Sequence, residues 1–232
     1  TRPEGIYQAS ELLDLYKERF SDWKYVDYDN DGDLDLIVGV DDWSEYGWDN
    51  AFNDKGEWTN GPLRGYLYLL TNNNGKYKND GRILAGAIPI DVFGNTTPNI
   101  ADFDGDGDLD IICGEFIDRF SYFENIGNRK NPVYATGRFL ENNNGILKMD
   151  LEMMRPVALD WNNDTKIDLI VGDEDGRVVF IENTGAVSNQ MPVFKSPTYI
   201  QQKSQNLKFG ALVTPFSVDW DDDGDEDLIC GN

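Results

Sequence analysis

Acidic and hydrophobic residues alternate in blocks that recur four times along the chain. Each copy is an acidic stretch followed by a short apolar run that ends at glycine. The four stretches begin at Asp27, Asp102, Asp160 and Asp219, so successive copies lie 75, 58 and 59 residues apart. Recurrence at such a period is typical of repeat architectures, in which each copy forms one supersecondary unit.

The residues after each acidic stretch predict further strands. In the first three copies an apolar run ends at an Asn-x-Gly turn, at residues 73–75, 125–127 and 183–185, and an aromatic residue follows. A proline stands four residues before the second, third and fourth lead aspartates, where it would mark the entry to a first strand. Each unit is thus predicted to contain about four short strands, which indicates an all-β fold, a β-propeller of four-stranded blades.

We expect residues 1–232 to form part of a single β-propeller domain. The long first spacing results from an insertion at residues 41–64, where the second copy has only residues 115–119. The fourth copy stops after its acidic loop and the next apolar run, which leaves roughly three and a half predicted blades. Because a propeller closes its ring, the remaining blades are expected outside this segment.

The acidic stretches share the pattern D-x-[DN]-x-D-[GT]-x-x-D, which predicts nine-residue calcium loops. Positions one, three and five place oxygens on one side of a tight turn, glycine at position six permits positive φ, and position nine adds an aspartate. Position twelve is Val38 or Cys113 rather than the glutamate of an EF-hand. All-oxygen sites select a hard cation, and calcium accepts such a set best. The predicted metal-binding residues are Asp27, Asp29, Asp31, Asp33, Asp35, Asp102, Asp104, Asp106, Asp108, Asp110, Asp160, Asn162, Asp164, Lys166, Asp168, Asp219, Asp221, Asp223, Asp225 and Asp227.

The third loop departs from the pattern at two positions. Thr165 replaces the glycine at position six, and a threonine in the left-handed conformation is expected to be strained. Lys166 stands at position seven, which leaves the site intact if only its main-chain carbonyl binds the ion. The sequence leaves open whether this loop holds calcium.

The motif D-x-D-x-D-G-D-x-D followed by an apolar run and glycine, as at residues 102–114, resembles the FG-GAP/VCBS-type calcium-binding β-propeller repeat. The resemblance covers almost the whole chain and implies a ring of about seven blades. Such repeats occur in integrin α heads, in secreted bacterial adhesins and in polysaccharide-utilisation propellers, including rhamnogalacturonan-type lyases. Where such lyases rely on a catalytic histidine, this chain has none to take that role.

The charge narrows the possible partners. With 20 basic and 43 acidic residues the formal charge is −23, which argues against nucleic acid and anionic lipid as ligands. Hydrophobic residues make up 40% of the chain, so a packed core is expected. No apolar run is long enough for a membrane span. Loops of this kind are tuned to the high calcium outside cells, which favours an extracellular, cell-surface or periplasmic protein.

The insertion at residues 41–64 is the candidate ligand-binding region. Strand order puts it at the opposite end of its unit from the calcium loop. Aromatic rings beside carboxylates suit a sugar, because rings stack on its apolar face and acids accept its hydroxyl groups. An equally open alternative is that these rings form a satellite core. Arg155, which lies outside the insertion, is a further candidate because arginine pairs with uronate carboxylates. The candidate ligand-binding residues are Trp43, Tyr46, Trp48, Trp58 and Arg155.

Two functions remain in competition on the sequence alone. The first is a secreted, calcium-stabilised propeller that binds or processes a complex, acidic polysaccharide. The second is an extracellular adhesion or protein-interaction propeller of integrin-like type without catalysis, which predicts a flat face with few aromatic pockets. The sequence does not decide whether the protein is an enzyme; a polysaccharide lyase or a glycoside hydrolase would be the class, because paired carboxylates are abundant.

Overall fold

The computed structural model describes residues 18–47, 51–201 and 210–231, and these form strands and turns without a helix. The prediction of an all-β fold is therefore confirmed. The strands fall into four sequential groups, each containing one acidic stretch, and we call these groups units one to four.

Unit one is a five-stranded antiparallel sheet followed by a small hairpin. The sheet has the order β1-β2-β3-β4, and β7 also pairs with β3. The bounds are β1 Glu18–Val26, β2 Asp35–Asp42, β3 Arg64–Asn73, β4 Lys76–Arg82, β5 Leu84–Ala85, β6 Ile88–Pro89 and β7 Asp91–Val92. The acidic loop joins β1 to β2, and the insertion joins β2 to β3.

Units two and three are four-stranded antiparallel sheets with additional hairpins. Unit two has the strand order β11-β10-β9-β8, and unit three has the order β14-β15-β16-β19. Unit two comprises β8 Thr97–Ala101, β9 Asp110–Gly114, β10 Phe120–Phe123, β11 Arg138–Phe139, β12 Glu141–Asn142 and β13 Gly145–Ile146. Unit three comprises β14 Arg155–Leu159, β15 Asp168–Gly172, β16 Val178–Ile181, β17 Asn183–Val187, β18 Pro192–Phe194 and β19 Thr198–Tyr199.

Unit four contributes the hairpin of β20 Thr214–Val218 and β21 Asp227–Gly231 to the described part of the chain. In units two to four the predicted proline is the second residue of the first strand, at Pro98, Pro156 and Pro215. First strands of consecutive units contact one another, from β1 to β8 to β14 to β20.

Most of the apolar core lies between consecutive units, and one smaller cluster lies within the sheet of unit one. Ile37 and Leu67 of unit one pack in one cluster with Ile111, Cys113 and Tyr134 of unit two. A second cluster joins units two and three, and a third joins units three and four. Burial of these side chains between sheets is the main favourable contribution to the fold. Both cysteines are free thiols; Cys113 is buried and Cys230 is half-buried.

A glycine at the fifth residue of the second strand permits this close packing in units one to three. A Cβ atom on Gly39, Gly114 or Gly172 would overlap a main-chain carbonyl oxygen at the entry to the next unit, that of Thr96, Met154 or Val213 respectively. Gly231 holds the equivalent position in unit four and has no atom within 4 Å of its Cβ direction among the described residues. The glycine that ends each apolar run is therefore required for contact between units.

Candidate functional site

Hydrogen bonds to the lead aspartate shape all four acidic loops. In the first loop the Asp27 carboxylate accepts the main-chain N–H groups of Asp31 and Gly32, at 3.1 and 3.3 Å. The lead aspartates of the third and fourth loops accept main-chain N–H groups at the same two positions, and Asp102 of the second loop accepts those of Gly105 and Gly107. The repeated pattern shows that the four stretches are one local structure built four times.

The aspartate at position nine links its loop to the Asn-x-Gly turn of the same unit. Asp35 accepts N–H groups from Tyr28 and Asn72, at 2.8 and 2.7 Å. Asp168 does the same with Trp161 and Asn183.

Asn125 donates its N–H in the same way to Asp110, at 2.8 Å. These asparagines belong to the Asn-x-Gly turns, whose role the sequence analysis missed. In unit one the equivalent residue is Asn72 rather than Asn73, because that turn is one residue longer.

Positions four and six of each loop adopt left-handed backbone conformations. In the first loop these are Asn30, with φ 58°, and Gly32, with φ 95°. In the third loop Thr165 has φ 69°, as predicted. A β-branched residue in this region is an outlier, and the strain costs on the order of 1–2 kcal/mol.

Three loops bring carboxylates close enough to share one cation. In the first, second and fourth loops, one oxygen from each of three aspartates lies within 4.8 Å of the others. These groups are Asp27, Asp29 and Asp35; Asp102, Asp104 and Asp106; and Asp219, Asp221 and Asp227. The sequence analysis predicted all nine as metal-binding residues.

Buried carboxylate oxygens in the first two loops fit a cation. Oδ1 of Asp29, Oδ1 of Asp108 and Oδ2 of Asp110 are buried and accept no hydrogen bond within the described part of the chain. An orphaned buried acceptor is costly, and a bound ion is one of the few groups that satisfies it. The donor set is all oxygen, which suits calcium.

The raised pKa values of two aspartates in the second loop also favour a bound cation. Burial, reinforced by the charges of Asp106, Asp104 and Asp102, raises the pKa of Asp108 to about 6. Burial, with the charge of Asp104, raises the pKa of Asp110 to about 8 against the opposing hydrogen bond from Asn125. The loop therefore resists full ionisation unless a positive charge is present.

The third loop has a different arrangement. Asn162 stands at position three, where the other loops have an aspartate, and no carboxylate triad forms there among the described residues. Nζ of Lys166 lies 2.7 Å from Oδ2 of Asp164, and its hydrocarbon chain lies against Gly185. Asp160 and Asp168 keep their main-chain partners.

The side chains at position seven face neighbouring turns in two other loops. Oδ2 of Asp33 accepts the N–H of Asn74, and Oδ1 of Asp225 accepts a hydrogen bond from the side-chain amide of Asn163. Their main-chain carbonyls remain the predicted ligand atoms.

The insertion lies at the far end of β2 from the acidic loop. The loop precedes Asp35, where β2 begins, and the insertion follows Asp42, where it ends. Main-chain hydrogen bonds join the units at this end, from Phe116 N–H to the Phe93 carbonyl and from Met153 N–H to the Phe116 carbonyl. The predicted separation of the two regions is confirmed.

Aromatic side chains of the insertion form an open apolar cleft of about 320 Å³. Tyr46 and Trp58 stack with ring centroids 4.5 Å apart, and Phe52 and Phe93 meet them edge to face. The residues lining the cleft are Tyr46, Phe52, Trp58, Asn60, Gly61, Pro62 and Phe93. This volume is at the lower end of the range for small-ligand sites.

The five candidate ligand-binding residues fall in different places. Tyr46 and Trp58 line the cleft, whereas Trp43 is 9% exposed and packs edge to face beneath Tyr46. Trp48 lies outside the described residues. Arg155 contacts Oδ1 of Asn95 at 3.3 Å and is not part of the cleft lining. Trp43 therefore belongs to a satellite core, as one of the two alternatives predicted, whereas Phe52 is 57% exposed.

Two arginines at this end of the molecule, Arg119 and Arg177, form ion pairs. Arg119 pairs with Asp118 at 2.9 Å, and Arg177 bridges Asp150 and Asp173, each at 2.7 Å. These contacts pair charges within and between the loops at this end of the molecule.

Comparison with known proteins adds no assignment. The chain matches none of the family models against which it was scanned, and no curated protein matches it. Within the described ranges, the structure has no helix long and apolar enough to cross a bilayer.

Proposed function

We propose that this chain is part of an extracellular, calcium-stabilised β-propeller that binds a polysaccharide. The observation that carries the proposal is the aromatic cleft of Tyr46, Phe52, Trp58 and Phe93 at the opposite end of the unit from the acidic loops. A rigid aromatic surface stacks on the apolar face of a pyranose ring at little entropic cost.

The propeller arrangement is supported by the way the units repeat. Each first strand contacts the next first strand, and the core lies between neighbouring sheets, as expected for blades around an axis. Trp220 is 74% exposed, whereas Phe103 at the same position in its loop is buried against Phe194 of the next unit. The exposed surface of Trp220 and Gly231 is therefore suited to a further blade.

Calcium is the proposed ion of the first, second and fourth loops. Asp29 and Asp110 would supply oxygens that otherwise have no partner, together with the lead aspartates of each loop. The ion would neutralise carboxylates that repel one another and fix the turn between the first two strands. Exposed loops of this type suit the calcium concentrations found outside cells.

The test is an oligosaccharide array probed with the protein in millimolar calcium, with Trp58→Ala and Trp23→Ala compared. Trp23 is 60% exposed on β1, away from the cleft, and serves as the matched control. We expect binding to at least one glycan that Trp58→Ala abolishes and Trp23→Ala leaves unchanged. Absorbance of unsaturated uronates in the same samples reports any lyase activity.

If folded protein retains no glycan, the polysaccharide proposal is wrong and the protein-interaction alternative replaces it. Binding that survives Trp58→Ala would move the site away from this cleft.

A further inference from the structure

We infer that the cleft accepts a neutral polysaccharide, with pyranose rings stacked on its aromatic floor, and excludes anionic uronate chains. This inference rests on the proposed function and names the substrate class of the same site. It replaces the sequence-based expectation of an acidic ligand, because of the charges that surround the cleft.

The described lining of the cleft carries no charged side chain. All seven of its residues are aromatic, proline, glycine or asparagine. The Asn60 amide donates to the Tyr46 carbonyl at 2.6 Å, and the Trp58 indole N–H donates to the Gly61 carbonyl at 3.3 Å. A carboxylate entering the cleft would lose water without gaining a positive partner, which is unfavourable.

The Arg64 guanidinium, which contacts Glu45, is already paired with carboxylates. Arg64 pairs with Asp91 at 2.5 Å and with Glu45 at 3.3 Å, so two carboxylates serve one arginine. A uronate would have to displace one of them to form the bidentate pair that recognises a carboxylate.

Glu45 places a negative charge at the edge of the cleft. Its side chain lies against Gly61, where a Cβ atom would overlap it, and its side chain is 56% exposed. An anionic sugar would be repelled by this carboxylate, whereas a neutral sugar would not. The formal charge of −23 adds long-range repulsion of polyanions.

The other cation of the insertion lies away from the lining. Lys55 is in the exposed turn of residues 53–56, between the acidic side chains of Asp54 and Glu57. The turn is held by Asn53, whose side chain bonds to the main chain of Lys55 and Glu57. Lys55 therefore does not convert the cleft into an anion site.

The ring arrangement favours a flat ligand over a quaternary ammonium group. A cage for a cation needs separate aromatic walls around it. Here Tyr46 and Trp58 stack on each other at 4.5 Å, which leaves no space between them. The Phe52 ring, which is 57% exposed beside this stacked pair, offers a surface for the flat apolar face of a pyranose.

The test measures binding of cellohexaose, xylohexaose and hexagalacturonate by calorimetry in calcium, with tetramethylammonium chloride as a fourth probe. We expect a neutral hexasaccharide to bind at least tenfold more tightly than hexagalacturonate. Trp58→Ala should reduce that affinity at least tenfold. Phe52→Ala, at an exposed ring, keeps the test valid if Trp58→Ala fails to fold, and Trp23→Ala is the control.

A charge variant tests the physical cause. Glu45→Gln should raise hexagalacturonate affinity several-fold and leave the neutral hexasaccharide within twofold, because it removes the repelling charge and releases one contact of Arg64. Hexagalacturonate binding that exceeds neutral binding and is lost in Trp58→Ala would overturn this inference while the polysaccharide proposal stands. Preferential tetramethylammonium binding, or no binding of any saccharide by folded protein, would overturn both.

Discussion

The ammonium nitrogen of Lys166 lies 2.7 Å from Oδ2 of Asp164, inside the third acidic loop. Asp164 holds position five of this loop, the position that Asp106 holds in the carboxylate triad of the second loop. Neighbouring acids, the Asp164 carboxylate first among them, hold the pKa of Lys166 above its usual range, so the side chain stays charged. The third loop thus carries its own positive charge beside a ligand position.

We predict that the third loop binds calcium more weakly than the other three. Lys166→Asp introduces the residue found at the equivalent positions 33, 108 and 225, and should add one calcium-binding event in a calorimetric titration. Lys148→Asp removes a lysine that pairs with Asp118 outside the loops and should add none. Four equivalent sites in the unmodified protein would contradict this prediction.

Removing calcium should lower thermal stability. At a calcium concentration 100 times Kd, one site contributes about 2.7 kcal/mol, which corresponds to roughly 5–10 °C in Tm for a chain of this size. We expect EDTA to lower Tm by at least that amount in differential scanning calorimetry, and excess calcium to restore it. An unchanged Tm in EDTA would refute a structural role for the ion.

Without calcium, stability should fall as pH rises. The pKa of Asp110 is raised from 3.8 to about 8 in the folded chain, so the folded state binds its proton more tightly than the unfolded state does. The contribution is fully present below about pH 4 and is lost as pH rises towards about 8. Urea unfolding in EDTA between pH 4.5 and 8 checks this, with Asp110→Asn expected to flatten the profile.

With calcium bound, the pH dependence should reverse, because the ion requires ionised carboxylates. Stability that rises with pH in EDTA would show that Asp110 is not protonated in the metal-free fold.

Thr165→Gly should stabilise the protein. Thr165 has φ 69°, a region that glycine enters without strain, and its N–H bond to Asp160 does not depend on the side chain. After the entropic cost of glycine, the gain should be about 1 kcal/mol in urea unfolding. The reverse change at the matching position, Gly107→Thr, should destabilise by a similar amount, since φ there is 96°. Equal stability of both variants and the parent would argue against backbone strain.

Much of this structure could be predicted from spacing alone. Alternating acidic and apolar blocks predicted the loops and the strands after them, and the prolines predicted where β8, β14 and β20 begin. These features could be predicted because each depends on neighbouring residues. The left-handed conformation of Thr165 followed from its alignment with glycine. The sequence did not reveal that Asn72, rather than Asn73, corresponds to Asn125 and Asn183. The turn in unit one is one residue longer, which shifts the alignment without changing the composition.

The sequence by itself determined the all-β repeat, the four acidic loops and the residues able to bind a cation, since each is encoded within about ten consecutive positions. Tertiary structure decided which aromatic rings are buried. Trp43 and Phe52 belong to the same insertion, yet one is buried beneath Tyr46 and the other remains exposed. It also decided that Arg64 is neutralised by Glu45 and Asp91, and that Lys166 lies beside Asp164. These outcomes depend on side-chain packing and direction across turns and strands, which a linear pattern of residue types does not fix.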